Sequence, residues 1–180
     1  AALPMNNKLA DSSSYIIDFK IVITVRYMRV SVCINTKDRP QQLKACLRSI
    51  LASDISKSVS SYEIIVIDQS VGLPKLSLSN RKIRYRVSPP NGVGYAKNYA
   101  LSFANGEIIA FTDDDCIGSR TWLQNLCQAF TEYPAVAEVF GDVMPYGKPP
   151  ESDSVCPCTF KTGKTYLLNT PCFHWEYIGF

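Results

Sequence analysis

The chain has little charge and few of the residues that build common nucleotide and metal motifs. Of its 180 residues 19% are charged, the formal net charge is +3, and there is one histidine. So small a net charge does not favour a nucleic-acid partner, and we expect none. The nine glycines form neither the G-x-G-x-x-G fingerprint nor the P-loop. No apolar run reaches the roughly 18 residues that cross a bilayer.

Cysteine, by contrast, is plentiful, with seven residues. Cys33, Cys46 and Cys127 fall in apolar stretches, and an odd total favours reduced thiols over a disulfide framework. We therefore expect an intracellular protein, located in the cytoplasm or at the inner face of the membrane.

Between residues 30 and 140, short apolar runs alternate with segments of helical periodicity. This alternation predicts an α/β fold with a mostly parallel, Rossmann-like sheet flanked by helices. The length allows one domain with a substantial core. The predicted strands are 30–34, 63–67, 83–87, 108–111 and 136–140, and the predicted helices begin at Pro40, Tyr95 and Trp122.

The two ends of the chain lack this alternation. Residues 1–29 are interpreted as a leader or extension ahead of Met28, or as an extra edge strand over 21–25. Residues 30–180 are interpreted as the ligand-binding domain. Its part beyond Gly141 has little periodicity and is expected to form loops.

Three consecutive carboxylates, Asp113, Asp114 and Asp115, follow the predicted buried strand 108–111. Ligands of open α/β sheets bind at the carboxyl ends of strands, and a divalent cation keeps neighbouring carboxylates ionised. The other interpretation is a solvated turn in which Asp115 or Ser119 caps the next helix. The segment by itself leaves these two interpretations open.

Polar clusters also follow the first two predicted strands, at 35–39 and 68–70. Right-handed crossovers bring such strand ends to one edge of the sheet, where a nucleotide could bind. Asp68 or Gln69 could contact the base, since either can meet the imide edge of uracil. Asp113 and Asp115 could hold the ribose and a metal-bound diphosphate. The alternative for Asp68 is that it starts a turn.

A glycine-containing loop, Asn91-Gly-Val-Gly-Tyr-Ala-Lys97-Asn98, precedes the second predicted helix. Its glycines permit close backbone approach, Lys97 could offer its charge to a phosphate, and Asn98 could fix the loop. The alternative is an ordinary helix entry with a solvated lysine.

The last part of the chain contains Cys156, Cys158, Cys172 and His174, which together could bind zinc. The C-x-C spacing is not that of a zinc knuckle, so the zinc hypothesis is weak. Alternatively, His174 and Glu176 line an acceptor pocket, with Glu176 as a candidate catalytic base.

Taken in order, four segments resemble the family 2 glycosyltransferases, which have the GT-A fold. They are Val-Ser-Val-Cys-Ile-Asn-Thr-Lys-Asp-Arg-Pro from Val30, Ile-Val-Ile-Asp-Gln-Ser from Ile65, the Asn91–Asn98 loop, and the DXD-type Thr-Asp-Asp-Asp-Cys from Thr112. The resemblance runs from about residue 30 to residue 141, and more loosely to the end. The whole set is a strong signal, whereas the DXD motif alone is weak.

The resemblance implies transfer of a sugar from a nucleotide-diphosphate donor, most simply a UDP-sugar, with inversion and with Mn²⁺ or Mg²⁺. The acceptor would be a glycan, a lipid or a protein, and the full-length protein could associate peripherally with a membrane. The residues carried over by position are Thr36 and Arg39 beside the nucleotide, Asp68 and Gln69 at the base, Lys97 and Asn98 near the donor, Asp113 at the ribose and metal, Asp115 at the metal, and Asp114 with the donor-binding acids.

Two departures from the family pattern are visible. Lys97 stands where the family usually has arginine, which keeps the charge but loses bidentate phosphate contact. The family's catalytic base lies in a later acidic motif, after a glycine-rich segment that begins only at Ile178-Gly-Phe180. We therefore expect the catalytic base beyond Phe180. On this view the chain holds the amino-terminal, donor-binding part of an incomplete domain, with weak or no activity in isolation.

Three other functions share some of these features. A receiver-type domain also gathers carboxylates around Mg²⁺, but it requires acids after its first strand, where this chain has Asn35 and Thr36. A sugar nucleotidyltransferase would favour a glycine-rich basic loop there, and Lys37 and Arg39 occur without glycine. The non-enzyme alternative is a nucleotide-sugar-binding fragment that has lost catalysis.

Overall fold

The computed structural model describes residues 27–55, 58–72, 79–141 and 143. Four strands in this part of the chain form one sheet in the order β3-β2-β1-β4, and all neighbouring strands are parallel. The predicted α/β class, with a parallel Rossmann-like sheet flanked by helices, is confirmed. In chain order the elements are β1 Met28–Thr36, α1 Pro40–Leu51, β2 Val59–Asp68, β3 Ile83–Val87, α2 Val93–Leu101, β4 Ile108–Asp113 and α3 Trp122–Glu132.

The middle parts of the two central strands, 32–34 in β1 and 64–67 in β2, are apolar, as expected where helices cover both faces of the sheet. Val32 and Ile34 of β1 belong to the core that α1 and α3 share, whereas Cys33 between them packs with α2. In β2, Ile64 and Ile65 divide in the same way between the two cores. The alternation of side chains along each strand therefore assigns every residue to one face, including the polar residues at the strand ends.

The helices follow their predicted periodicity. Pro40 lies in the first turn of α1, and the buried face of that helix consists of Leu43, Cys46, Leu47 and Ile50. Helix α2 begins at Val93, two residues before the predicted Tyr95. The residue before it, Gly92, has a φ of +91°, a conformation that side chains other than glycine rarely adopt.

One expectation for the segment after β4 was wrong, and so was the helix cap in the alternative interpretation of the acids. Residues 136–140 form no strand, and Phe140 is 85% exposed. Their β-branched and aromatic composition favours a strand, but a strand needs a partner, and no described residue pairs with this segment. Helix α3 is capped neither by Asp115 nor by Ser119, because it begins at Trp122 after Thr121.

Several sequence hypotheses concern parts of the chain outside the described residues. The expectation that the catalytic base lies beyond Phe180 is one of them, because Phe180 is itself outside the described residues and no described residue tests it. The others are the edge strand at 21–25, the zinc group of Cys156, Cys158, Cys172 and His174, and the candidate base Glu176.

Strand β1 extends further towards the amino terminus than predicted. It begins at Met28, two residues before the predicted start, and Met28 is buried. Met28 N also donates a 2.9 Å hydrogen bond to Ser58 O, next to the start of β2. Of the helices in the described ranges, none is long and apolar enough to span a membrane.

A polar cluster holds the amino-terminal ends of the strands together. The Oε1 atom of Glu63 accepts hydrogen bonds of 2.8 Å from Ser31 Oγ and from Asn105 N, and Arg84 Nε lies 3.3 Å from its Oε2 atom. Partial burial acts to raise the pKa of Glu63, but these hydrogen bonds and the charge of Arg84 outweigh it. The pKa of Glu63 therefore lies below its ordinary value.

This lowered pKa predicts how stability depends on pH. A carboxyl with a lower pKa in the folded chain stabilises the fold above its unfolded pKa, and that contribution is lost as the pH falls through the folded pKa. Glu63→Gln should therefore lower the free energy of unfolding by about 1 kcal/mol at about pH 7, and the difference should shrink towards about pH 3. Urea denaturation across this range, with the exposed Glu138→Gln as control, measures it. A difference independent of pH would contradict the assignment.

Candidate functional site

The sheet has a topological switch point between β1 and β4. Helix α1 leads from β1 to β2 on one face, whereas α2 leads into β4 on the other face. Two crossovers that diverge in this way leave a crevice at the carboxyl ends of the strands, where ligands of open α/β sheets bind. Asn35 of β1 is paired with Asp113 of β4, so the acidic run and the loop after β1 meet there.

The three acids do not share one environment. Asp113 and Asp115 are exposed, whereas Asp114 is 0% exposed. Asp114 Oδ2 accepts a 2.6 Å hydrogen bond from Thr36 Oγ1, at the end of the neighbouring strand. This bond joins the two strand ends and leaves the carboxylates on either side of Asp114 facing solvent.

Arg39 lies against the same acids. Its Nη1 atom is 2.8 Å from Asp115 Oδ2, and its Nη2 atom is 2.7 Å from Asp114 Oδ1. The first contact is a hydrogen bond. The second is a close ion pair without aligned hydrogen-bond geometry, because no described donor points at Asp114 Oδ1. Burial raises the pKa of the Asp114 carboxyl, and the hydrogen bond from Thr36 and the charge of Arg39 offset this only in part.

A cleft of about 150 Å³ opens beside this arrangement. Its volume suits a single planar ring system better than a whole nucleotide sugar, since sites for larger ligands have roughly 300–1,000 Å³. Asn35 Oδ1 is buried without a hydrogen-bond partner among the described residues, so an acceptor is left for a ligand. The lining residues are Asn35, Thr36, Lys37, Arg39, Gln69, Pro90, Gly92 and Val93.

Thr36, Arg39 and Gln69 of this lining were among the site residues predicted from the sequence. The other five lining residues were not, and they are Asn35, Lys37, Pro90, Gly92 and Val93. Asn35 is the penultimate residue of β1, and its position at the end of a strand is the sequence feature that could have marked it as a site residue. Gly92 belongs to the loop whose glycines were expected to permit close backbone approach, and it forms part of the cleft wall.

Asp68 and Gln69 are both buried at the end of β2, but they have different surroundings. Asp68 Oδ1 accepts a 2.8 Å hydrogen bond from Ser70 N, and its Oδ2 atom accepts one from the Tyr85 hydroxyl. The first of these bonds is the turn geometry of the alternative interpretation of Asp68. Gln69 Nε2 donates to Pro89 O at 2.8 Å, which holds the Gln69 side chain in the wall of the cleft.

Lys97 and Asn98 lie further along α2. The Lys97 ammonium is 5.6 Å from the centre of the Phe111 ring, and Phe111 is two residues before Asp113 on β4. Side chains two residues apart in a strand lie on the same face, so Lys97 is on the Asp113 side of the crevice. Asn98 is exposed on the helix surface.

Thiols lie beneath and beside the acidic turn. Cys46 of α1 is buried, and its Sγ atom is 3.5 Å from the carbonyl oxygen of Asp113. Burial, together with Cys116 and the neighbouring acids, raises the pKa of Cys46 to about 12, so this thiol stays neutral. Burial also raises the pKa of Cys116. All four described cysteines, Cys33, Cys46, Cys116 and Cys127, are free.

With the other described residues the acids do not form a cation site enclosed by protein ligands, but they fit a site in which the cation also binds a substrate phosphate. In the part of the chain that the structure describes, no group of three or more His, Cys, Asp or Glu side chains could enclose a metal. Mg²⁺ and similar ions, however, are usually held by one or two carboxylates together with substrate phosphates. The two exposed carboxylates Asp113 and Asp115 fit that second type of site, since hard oxygen ligands are what such ions prefer.

Three solved structures are similar to this chain, which covers about a third of the length of each. TarS 1–349 of S. aureus is 22% identical to this chain, with a TM-score of 0.46. The match covers 59% of this chain and 33% of the TarS chain. The same TarS segment in complex with UDP-GlcNAc is 22% identical and is covered over 32% of its length, with a TM-score of 0.46. A mannosyltransferase from Pyrobaculum calidifontis, in complex with GDP-Man and Mn²⁺, is 22% identical over 64% of this chain and 34% of its own, with a TM-score of 0.46.

Comparison with protein families covers more of the chain. No curated protein matches it. The model of the family described as Glycosyl transferase family 2 matches residues 31–168, which is more than half of the sequence. This range contains the cleft, Arg39 and all three acids, so the residues described above lie within the matched region. The chain therefore belongs to glycosyl transferase family 2.

Proposed function

We propose that this chain binds a nucleotide-diphosphate sugar, with uridine as the nucleoside, and that the complete protein transfers the sugar to an acceptor with inversion. The observation that carries this proposal is the pair of exposed carboxylates, Asp113 and Asp115, at the switch point beside a cleft of the size of a base. Membership of a glycosyltransferase family supports the same reaction class.

In this proposal the cleft takes the base. Gln69 is anchored through its Nε2 atom, so its Oε1 atom can accept from the imide N–H of uracil. Thr36 and Arg39 border the nucleotide, and Asp68 supports Gln69 from behind by holding the turn at Ser70. The base is thus recognised by residues at the ends of β1 and β2.

The phosphates and ribose lie towards β4 in this proposal. Asp113 and Asp115 are the residues that would hold Mn²⁺ or Mg²⁺, with Asp113 also on the ribose side, while Asp114 fixes both through its bond to Thr36. Lys97 contributes a positive charge on the Asp113 side. A bound divalent ion would stabilise the negative charge of the departing nucleoside diphosphate.

The acceptor side of the reaction lies outside the described residues. We propose a hydroxyl of a glycan, a lipid or a protein as the nucleophile, and a carboxylate as its general base. Glu176, which lies outside the described residues, is the candidate for that carboxylate within this chain. We also propose a cytoplasmic location, at the inner face of the membrane where the acceptor is a lipid.

A catalytically incomplete nucleotide-sugar-binding fragment is the second candidate function. The described cleft and acids account for binding of a donor. Within the acidic run no carboxylate is left to serve as a general base, since Asp114 is buried and its two neighbours are assigned to the cation. Binding without transfer is the result that this candidate predicts.

Calorimetry tests the proposal directly. We expect UDP to bind in the presence of Mn²⁺ and to bind at least about tenfold more weakly after chelation of the metal, because the cation joins the carboxylates to the diphosphate. GDP should bind more weakly than UDP. Equal affinity with and without metal, or no binding of either nucleotide, would reject the proposed site. Assays of UDP-sugar hydrolysis and transfer then distinguish an active enzyme from a binding fragment.

A further inference from the structure

One positive side chain lies between the buried and the exposed members of the acidic run. Arg39 places Nη1 at 2.8 Å from Asp115 and Nη2 at 2.7 Å from Asp114. Arg39 is therefore the counter-ion of Asp115, the carboxylate that the proposed function assigns to a divalent cation. A divalent ion that binds Asp115 must therefore compete with the guanidinium for it.

The two carboxylates hold Arg39 with different consequences. The Asp114 side chain is 0% exposed, so a hydrated cation cannot reach it, whereas the Asp115 side chain is 51% exposed. A buried charge left without its partner is costly, which favours retention of the contact between Arg39 and Asp114. An exposed ion pair contributes little free energy, so the contact with Asp115 is the one that can be exchanged.

The backbone at Arg39 is held in place, so replacing its contact with Asp115 requires motion of the side chain only. Arg39 O accepts a hydrogen bond from Leu43 N in the first turn of α1. The preceding residue, Asp38, has a φ of 58° and donates its N–H to Ser70 Oγ at 2.7 Å. The Arg39 side chain therefore extends from a fixed backbone position at the mouth of the cleft, which it also lines.

We propose that Arg39 is an exchangeable counter-ion, which occupies Asp115 in the donor-free chain and passes to the diphosphate when the cation and donor bind together. The contact with Asp114 is kept while Nη1 is released from Asp115. The released N–H groups can then donate to phosphate oxygens, for which the planar guanidinium is well suited. No covalent bond is formed or broken in this step.

This exchange has a consequence for the order of binding. A free divalent ion meets a site whose carboxylate is already neutralised and whose guanidinium repels it. A cation that arrives with the nucleoside diphosphate brings the negative charge that draws Arg39 away. The chain should therefore bind Mn²⁺ alone weakly and the complex of Mn²⁺ with UDP well. The inference rests on the proposed function for the identity of the cation and the diphosphate.

The test measures Mn²⁺ binding without nucleotide, by the electron paramagnetic resonance signal of the free ion, and UDP binding with Mn²⁺ by calorimetry. Arg39→Gln should bind Mn²⁺ alone about fivefold more tightly than wild type, the size expected for a charge near a partly exposed site. The same variant should bind UDP with Mn²⁺ about tenfold more weakly, because it lacks the phosphate contact. Arg39→Lys, which keeps the charge, should bind Mn²⁺ alone within about twofold of wild type.

The matched control is Arg29→Gln. Arg29 Nε lies 3.8 Å from Glu107 Oε2, so this ion pair links the same two strands at their other ends. It should change neither affinity. If Arg39→Gln does not fold, Arg39→Met, which retains the apolar stem, takes its place.

The outcomes separate the inference from the proposed function. If wild type binds UDP with Mn²⁺ but Arg39→Gln shows no gain for Mn²⁺ alone, the exchange is refuted and the function stands. If no protein binds UDP but the gain for Mn²⁺ alone is observed, the competition at Asp115 is supported and the function is refuted.

Discussion

Asp115→Asn is expected to weaken UDP binding in the presence of Mn²⁺ by about 100-fold. The substitution removes one of the two exposed carboxylates and replaces it with a neutral amide of nearly the same shape. Electrostatic contributions of bound metal ions amount to several kcal/mol, and a loss of about 3 kcal/mol corresponds to a factor of about 100. Folding should be little affected, because Asp115 is half exposed and its ion pair with Arg39 is a surface contact.

The matched control for this variant is Asp54→Asn. Asp54 is also a half-exposed aspartate paired with an arginine, since Arg120 Nη2 lies 3.2 Å from its Oδ1 atom. Calorimetry should show the loss for Asp115→Asn and none for Asp54→Asn. Without metal, Asp54→Asn should not differ from wild type by more than about twofold. Unchanged UDP affinity in Asp115→Asn would mean that this carboxylate does not hold the cation.

Gly106→Ala is expected to destabilise the fold by about 2–3 kcal/mol. A Cβ atom on Gly106 would lie 2.4 Å from Ser31 N and 2.8 Å from the carbonyl carbon of Val30. Both atoms belong to the backbone of β1, so no side-chain rotation can relieve the overlap. Overpacking of this kind costs roughly 1–3 kcal/mol, and the upper part of that range applies because the strand itself must move.

Gly94→Ala provides the control for the glycine prediction. Gly94 lies in α2, and a Cβ atom there would meet nothing within 4 Å. Alanine is favoured over glycine in a helix by up to about 1 kcal/mol, so this variant should be neutral or stabilised. Urea denaturation compares the two variants with wild type. Ser31→Ala should not rescue Gly106→Ala, because the main overlap is with the Ser31 backbone. Equal stability of Gly94→Ala and Gly106→Ala would contradict the steric argument.

The architecture of the sheet could be predicted from the sequence because its signals are local. Each buried strand is a continuous apolar run, and each helix has a face of apolar residues at regular spacing. The position of the acids at a strand end was predicted on the same basis. Residues 136–140 show the limit of local reasoning, because their composition favours a strand whether or not a partner strand is present.

The different environments of the three acids required knowledge of the strand register. Asp114 directly follows the end of β4, and only the pairing of β1 with β4 places Thr36 next to it. The ion pairs of Arg39 depend on the same register, because Asp115 lies 76 residues away in sequence. Contacts of this kind carry no signal in a single sequence.

Asp68 and Glu63 also differ in whether their contacts are local in sequence. Asp68 contacts Ser70, two residues away, and this turn was among the sequence interpretations. Glu63 instead joins residues from β1, β3 and the segment before β4. A glutamate before an apolar run has no local property that marks it as a junction. Its function in the fold is therefore visible only in the structure.

The hydrogen bond between Thr36 and Asp114 also bears on how the site forms during folding. The two residues are 78 positions apart, so the bond closes a long loop of chain. Strands β1, β2 and β3 can pair without β4, and they already carry Asn35 and Gln69 of the cleft. The acids arrive only when β4 docks at the open edge of β1. Affinity for a nucleotide with its cation would therefore report that β4 has paired with β1.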